Sequence, residues 1–216
     1  MDEIWAELIH WTPNFAAGFG LNLSISLTAM LVGTLIGWLL ASGRSSSTHW
    51  ASIISSLATG IFRNIPSFVF MFYIAFVIPI EFEWQGEPIR FPVWIKASIA
   101  LAVPVIGFAS DQFYRLTYEI KQGNIIALPM FFVSWAQYFV IIIMASSTAS
   151  VIGVHEIVGR ANTAIAVIRD PNNMLWIYLY VAGWFLCSAI IINMILKWVT
   201  GYLKNHYSEQ NKTVEA

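Results

Sequence analysis

The stretch Leu128 to Ala161, LPMFFVSWAQYFVIIIMASSTASVIGVHEIVGRA, constrains the fold more than any other part of the chain. No charge occurs from Met130 to Met144. The hydrocarbon layer of a bilayer holds no water, so a segment that enters it must pair every backbone amide and carbonyl internally, as a helix does. Pro129 opens such a helix, because the amide that proline lacks has no intrahelical partner in the first turn. Along it Ser134, Gln137, Ile141, Ala145 and Thr148 recur at spacings of three and four and therefore share one face. A weakly polar stripe of this kind turns toward protein or a water-filled path rather than toward lipid. Two readings of it stand: a face lining a translocation pathway, or helix packing through small and hydroxyl residues whose side chains bond back to their own helix.

The whole chain has the same character. Of its 216 residues 58% are hydrophobic and only 11% charged, with a mean hydropathy of +0.68, which places it in a bilayer rather than among soluble domains. A span needs about 20 apolar residues, so the length accommodates five or six spans and no separate soluble domain. Five are expected, at approximately 19–41, 51–79, 93–114, 128–149 and 174–199, forming one all-α, polytopic domain over 1–216. A net charge of −1 without a basic stripe argues against a nucleic-acid partner. The single Cys187 offers neither an internal disulfide nor a metal set and is expected to pack as a small hydrophobe. No metal or cofactor is expected.

In chain order, residues 1–17 carry Asp2, Glu3 and Glu7 among Trp5, Trp11 and Phe15, which suits a short helix lying at the interface. That acidic start is not a basic segment before an apolar one, so the first span is expected to serve as the address. Within this span Gly33 and Gly37 form a small-xxx-small face for close helix contact. The run from Ala51 to Pro79 would measure about 43 Å as one helix, against a hydrocarbon core of about 30 Å. A break is therefore expected near Pro66, which removes a backbone bond and biases Ile65 away from helix. Arg63, just before it, is a candidate functional charge, with snorkelling to the interface as the competing role. Residues 81–92 form an acidic loop with Trp84 and Trp94 at the interface. Asp111, Gln112 and Arg115 end the third span, an Asp111–Arg115 pair being one expectation. Val151 to Asp170 is too polar to span and reads as a re-entrant or interfacial helix, in which His155 and Glu156 are expected to form a surface pair.

The run Ser150-Val151-Ile152-Gly153-Val154-His155-Glu156, following a helix opened by Ile126-Ala127-Leu128-Pro129, resembles the permease subunits of bacterial ABC importers for polar amino acids. These show S-V-I-G-V-x-E and I-x-L-P at the corresponding places. Phe62-Arg63-Asn64-Ile65-Pro66 is similar to their R-G-T-P element, and GFGLNLSISLTAMLVGTLIG to their first helix. The resemblance implies a five-span permease in the bacterial inner membrane, N-terminus outside and C-terminus cytoplasmic. The basic residues Arg44, Arg115, Lys121, Lys197, Lys204 and Lys212 would then lie inside, and Arg90, Arg160 and Arg169 outside. It also implies three partners: a separate ABC ATPase subunit, a second permease subunit, and a periplasmic or lipid-anchored amino-acid-binding protein. The pathway candidates are Arg63, Ser134, Gln137, Thr148 and Glu156. The chain departs from the family between Arg115 and Ala127, where a coupling helix with E-A-A-x-x-x-G docks the ATPase. Here only Glu119 and Gly123 remain as candidate ATPase contacts, and the coupling helix is expected to be shortened or lost.

The chain has no G-x-x-x-x-G-K-[ST] run, so ATP chemistry would belong to another subunit. It also lacks H-E-x-x-H and G-x-S-x-G, and no enzymatic role is expected. Besides an importer permease, two alternatives are a passive partner in a heterodimeric permease and an ATP-independent channel or carrier.

Overall fold

The computed structural model describes residues 2–79, 81–124 and 126–214. The side chains of Asp2, Glu3, Trp84, Lys204, His206 and Lys212 are outside the described set, and with them the interfacial role expected of Trp84 and the sidedness expected of the two lysines. Helix α1 (Asp2–Arg44) is followed by α2 (His49–Asn64), α3 (Ser67–Val77), a hairpin of β1 (Glu81–Trp84) and β2 (Glu87–Arg90), then α4 (Val93–Lys121) and α5 (Ala127–Ala145). A 3-10 segment (Ser146–Ile152), α6 (Ile157–Ile168) and α7 (Pro171–Val214) complete the chain. Four helices are long and apolar enough to cross a membrane, and α2 with α3 forms a fifth, bent candidate.

Residues 1–17 do not form a separate interfacial helix: α1 runs on through Pro13 for 43 residues, roughly 64 Å at 1.5 Å per residue. Tertiary packing holds this first part. Ile4, Leu8, Phe15 and Phe19 are buried in one cluster with Ile157 and Ala161 of α6 and Ile177 and Val181 of α7. Further along, Gly33 and Gly37 face α4. A Cβ on Gly33 would lie 2.5 Å from Val105 Cβ, and one on Gly37 would lie 2.6 Å from Ala109 Cβ. Both glycines are thus required by the backbone approach of α1 to α4, where Ile25, Ala29 and Met30 pack on Ala97, Leu101 and Val105.

The apolar run after Thr48 breaks at Ile65 and Pro66, both extended, and α2 and α3 meet at 93°. The end of α2 rests on α4 at Gly107, where a Cβ would lie 2.7 Å from the Arg63 amide nitrogen. Helix α2 turns Thr59 inward and leaves Trp50, Ile54, Leu57 and Ile61 exposed, the reverse of a soluble amphipathic helix and the arrangement that lipid favours. The acidic loop is a hairpin with Glu81 opposite Arg90 and a two-residue turn, Gln85-Gly86, with both φ positive.

Helix α4 continues to Lys121, beyond the expected end at Tyr114. Helix α6 has 12 residues, too few to cross. Cys187 is exposed on α7 rather than packed.

Candidate translocation face and its polar clusters

The face of α5 that carries Phe131, Trp135 and Tyr138, at spacings of four and three, is committed to packing. Tyr138 stacks on Phe108 of α4 with centroids 3.8 Å apart, Phe131 meets Phe113 at 4.7 Å, and the Trp135 indole donates to Thr34 Oγ1 of α1 at 2.9 Å. Another side carries Met130, Gln137, Ile141 and Met144, all exposed, with Ser134 half-buried. Ser134 and Gln137 make no side-chain hydrogen bond among the described residues. An open amide on a lipid-facing helix is unfavourable, so this face is suited to water, a ligand or a partner chain. Thr148 continues the stripe into the 3-10 segment, but its hydroxyl bonds back to the Ala145 carbonyl at 2.7 Å and lies 3.8 Å from Met71 Sδ of α3. Ser146, Ser147 and Ser150 bond back in the same way, as the packing reading expects of hydroxyl residues.

Glu156 is fully buried and lies apart from that open face. It is the N-cap of α6, accepting from the Val158 and Gly159 amides at 3.0 Å each. Asn22 of α1 donates to its Oε2 at 2.8 Å, donates to Ser146 Oγ at 2.8 Å, and accepts from the Ile157 amide at 3.1 Å. The residue sits between the span that ends at Ile152 and α6. Burial pushes its carboxyl up from the ordinary range, and the Val158 amide, Asn22 and the Gly159 amide oppose that shift. The expected His155–Glu156 surface pair does not form: His155 is exposed, and its carbonyl accepts from Arg160 Nε at 2.9 Å. Arg160 also reaches Asn14, so α6 is tied to α1 twice.

Arg63 belongs to a different cluster. Asp111 of α4 pairs with Arg44 at 2.6 Å and with Arg63 at 3.2 Å, not with Arg115. Arg44 also donates to Ser110 at 3.4 Å and lies 4.4 Å over the Tyr114 ring. Ser110 shares a 2.8 Å hydrogen bond with Thr59. One carboxylate thus joins the ends of α1 and α2 to α4. Arg44 is mostly covered, whereas 62% of the Arg63 side chain remains exposed.

Glu119 and Gly123 close α4. The Asn124 amide donates to the Glu119 carbonyl and the Gly123 amide to the Ile120 carbonyl, with Gly123 at φ +79°. This is a Schellman cap, which needs the left-handed conformation that glycine adopts without penalty. The Glu119 carboxylate takes Arg115 at 3.0 Å and the Asn124 amide at 3.1 Å. The connection to α5 spans only Gln122 to Ile126, and no coupling helix occurs among its described residues. Beside this turn a cavity of about 140 Å³ brings Glu119 and Ser134 together with Gln112, Arg115, Met130 and Phe131.

Sequence reasoning missed Lys96. It is the sole charge between Val93 and Ser110, a signal that was there to be read. Its buried ammonium donates to the carbonyl of Ile78 at the end of α3, where the helix dipole favours a cation. Among the described residues no three His, Cys, Asp or Glu side chains converge as a metal site would require.

No protein-family model matches the chain, and no curated protein matches it by sequence. By structure it is similar to a chain in a crystal structure of an amino acid ABC transporter with histidines. The TM-score is 0.70 at 16% identity, over 88% of this chain and 94% of that one. The fold is therefore the all-α, membrane-spanning architecture found in that ABC transporter.

Proposed function

We infer that the chain is the transmembrane permease subunit of an ATP-binding-cassette importer, carrying a polar amino acid across the bacterial inner membrane. The observation that supports this most is the agreement in fold with an amino acid ABC transporter over nearly the whole of both chains. The open α5 face fits it, because Ser134 and Gln137 offer neutral hydrogen-bonding groups along one side of a spanning helix. In this reading Ser134, Gln137 and Thr148 line the path, Arg63 stands at its α2–α3 elbow, and Glu156 positions α6 against α1. A second permease chain closes the path. An external binding protein delivers the amino acid, and a separate ATPase drives the exchange between two states that bind it differently. The N-terminus lies outside and the C-terminus inside, which puts Arg44, Arg115, Lys121 and Lys197 on the cytoplasmic side.

One observation favours a second reading. The Schellman turn at Gly123, closed on the Glu119 carbonyl, caps α4 where a coupling helix would dock an ATPase. The chain would then be the passive half of a heterodimer whose other permease holds the ATPase. Uptake of radiolabelled amino acids into proteoliposomes containing this chain and its ATPase tests both. ATP-dependent uptake by this chain alone supports the importer, and uptake only with a second permease supports the passive half. Uptake without ATP points to a carrier and contradicts both.

A further inference from the structure

The cavity beside the α4–α5 turn is lined by charged and polar side chains as well as apolar ones. Arg115 and Glu119 line it as an ion pair at 3.0 Å, a guanidinium and a carboxylate presented side by side. Gln112 and Ser134 also line it, and neither side chain has a hydrogen-bond partner among the described residues. Met130 and Phe131 supply part of its apolar lining. The cavity holds about 140 Å³, well under the roughly 300–1,000 Å³ of sites for drug-sized ligands. A guest must therefore be small, and one that carries both signs of charge can pair with both Arg115 and Glu119 once their ion pair opens.

We propose that this cavity binds the zwitterionic head of a small α-amino acid, its carboxylate taken by Arg115 and its ammonium by Glu119. The site deepens the permease reading and rests on it: the cavity lies where the open face of α5 begins, and Ser134 belongs to both. Binding exchanges one exposed ion pair for two. The Arg115 side chain is 72% exposed, so the existing pair is weak and opens readily. Gln112 and Ser134 hydrogen-bond the head group, and the apolar lining accepts the first methylenes of its side chain. Because Glu119 also holds Asn124, occupancy of the cavity bears directly on the cap of α4.

The test uses the full chain in lipid nanodiscs without ATPase, titrated calorimetrically with glycine and L-glutamine, and separately with acetate and methylammonium. Saturable binding of the two amino acids, at least tenfold weaker for either single-charge probe, is the expected result. Arg115→Gln and Ser134→Leu, the second filling the cavity without touching the ion pair, each weaken binding at least tenfold while the thermal unfolding profile stays unchanged. Acetate binding as well as glycine, no saturable amino-acid binding, or full binding by both variants overturns the site. Uptake in proteoliposomes, measured in parallel, separates the two claims: uptake that persists in both cavity variants leaves the permease reading standing while the site falls.

Discussion

Asn22 and Glu156, 134 positions apart, form the buried joint between the first spanning helix and the short helix α6: Asn22 Nδ2 donates to Glu156 Oε2 at 2.8 Å while its Oδ1 accepts the Ile157 amide. The carboxylate caps α6 and the carboxamide presents it to α1, so one pair both starts a helix and docks it. Ser146 joins from the end of α5. Three elements meet at a single amide.

Removing that amide leaves buried groups without partners, which is more damaging than deleting both sides together. Asn22→Ala is expected to destabilise the protein by about 1–3 kcal/mol, read as a lowered unfolding midpoint in detergent. Asn22→Asp should be worse, because it places a second carboxylate against Glu156. Glu156→Gln should be milder than Glu156→Ala, since an amide oxygen still accepts from the α6 amides.

The α1–α4 contact predicts opposite outcomes for two glycines on one helix. Gly37→Ala puts a methyl 2.6 Å from Ala109 Cβ and 2.8 Å from the Ile106 carbonyl, and should cost about 1–3 kcal/mol through overpacking. Gly20 has nothing within 4 Å of the added Cβ. Gly20→Ala should therefore be neutral or stabilise by up to about 1 kcal/mol from helix propensity. Parallel thermal melts compare them.

At Asp111 the two arginines are unequal. Arg63 is largely exposed, so Arg63→Gln should change stability by only about 0.2–1 kcal/mol. Arg44, closer and more covered, should matter more. Asp111→Asn leaves both guanidiniums facing a neutral group and should exceed either single change. A double-mutant cycle between Arg44 and Asp111 measures the coupling.

The cap of α4 predicts that Gly123→Ala is penalised by about 1–2 kcal/mol, because alanine resists the left-handed conformation. Gly123→Asn should recover part of this. Amide exchange at Gly123 and Asn124 should accelerate in the alanine variant, with exchange in the middle of α4 unaltered.

Features that depend on local rules were legible in the sequence. Pro66 sets the elbow, Gly33 and Gly37 mark where two backbones meet, and the spacing of Ser134, Gln137 and Ile141 identifies the open side of α5. What depends on distant partners was not. Residues 1–17 read as interfacial because their acidic and aromatic residues fit that setting, yet burial of Leu8 and Phe15 under α6 and α7 makes them part of α1. Nothing near Glu156 in the chain reveals that Asn22 will reach it. Asp111 read as a partner of Arg115, four residues away, whereas Arg44 lies 67 positions off. Glu119 and Gly123 read as remnants of a docking motif, and their spacing equally suits a helix end.

The most direct test of the permease account is ATP hydrolysis by the candidate ATPase after co-purification with this chain, measured in liposomes with and without amino-acid-loaded binding protein. The account predicts a stable complex, with or without a second permease chain, whose hydrolysis rises when loaded binding protein is added. No association in either case, or hydrolysis indifferent to the loaded binding protein, would contradict it.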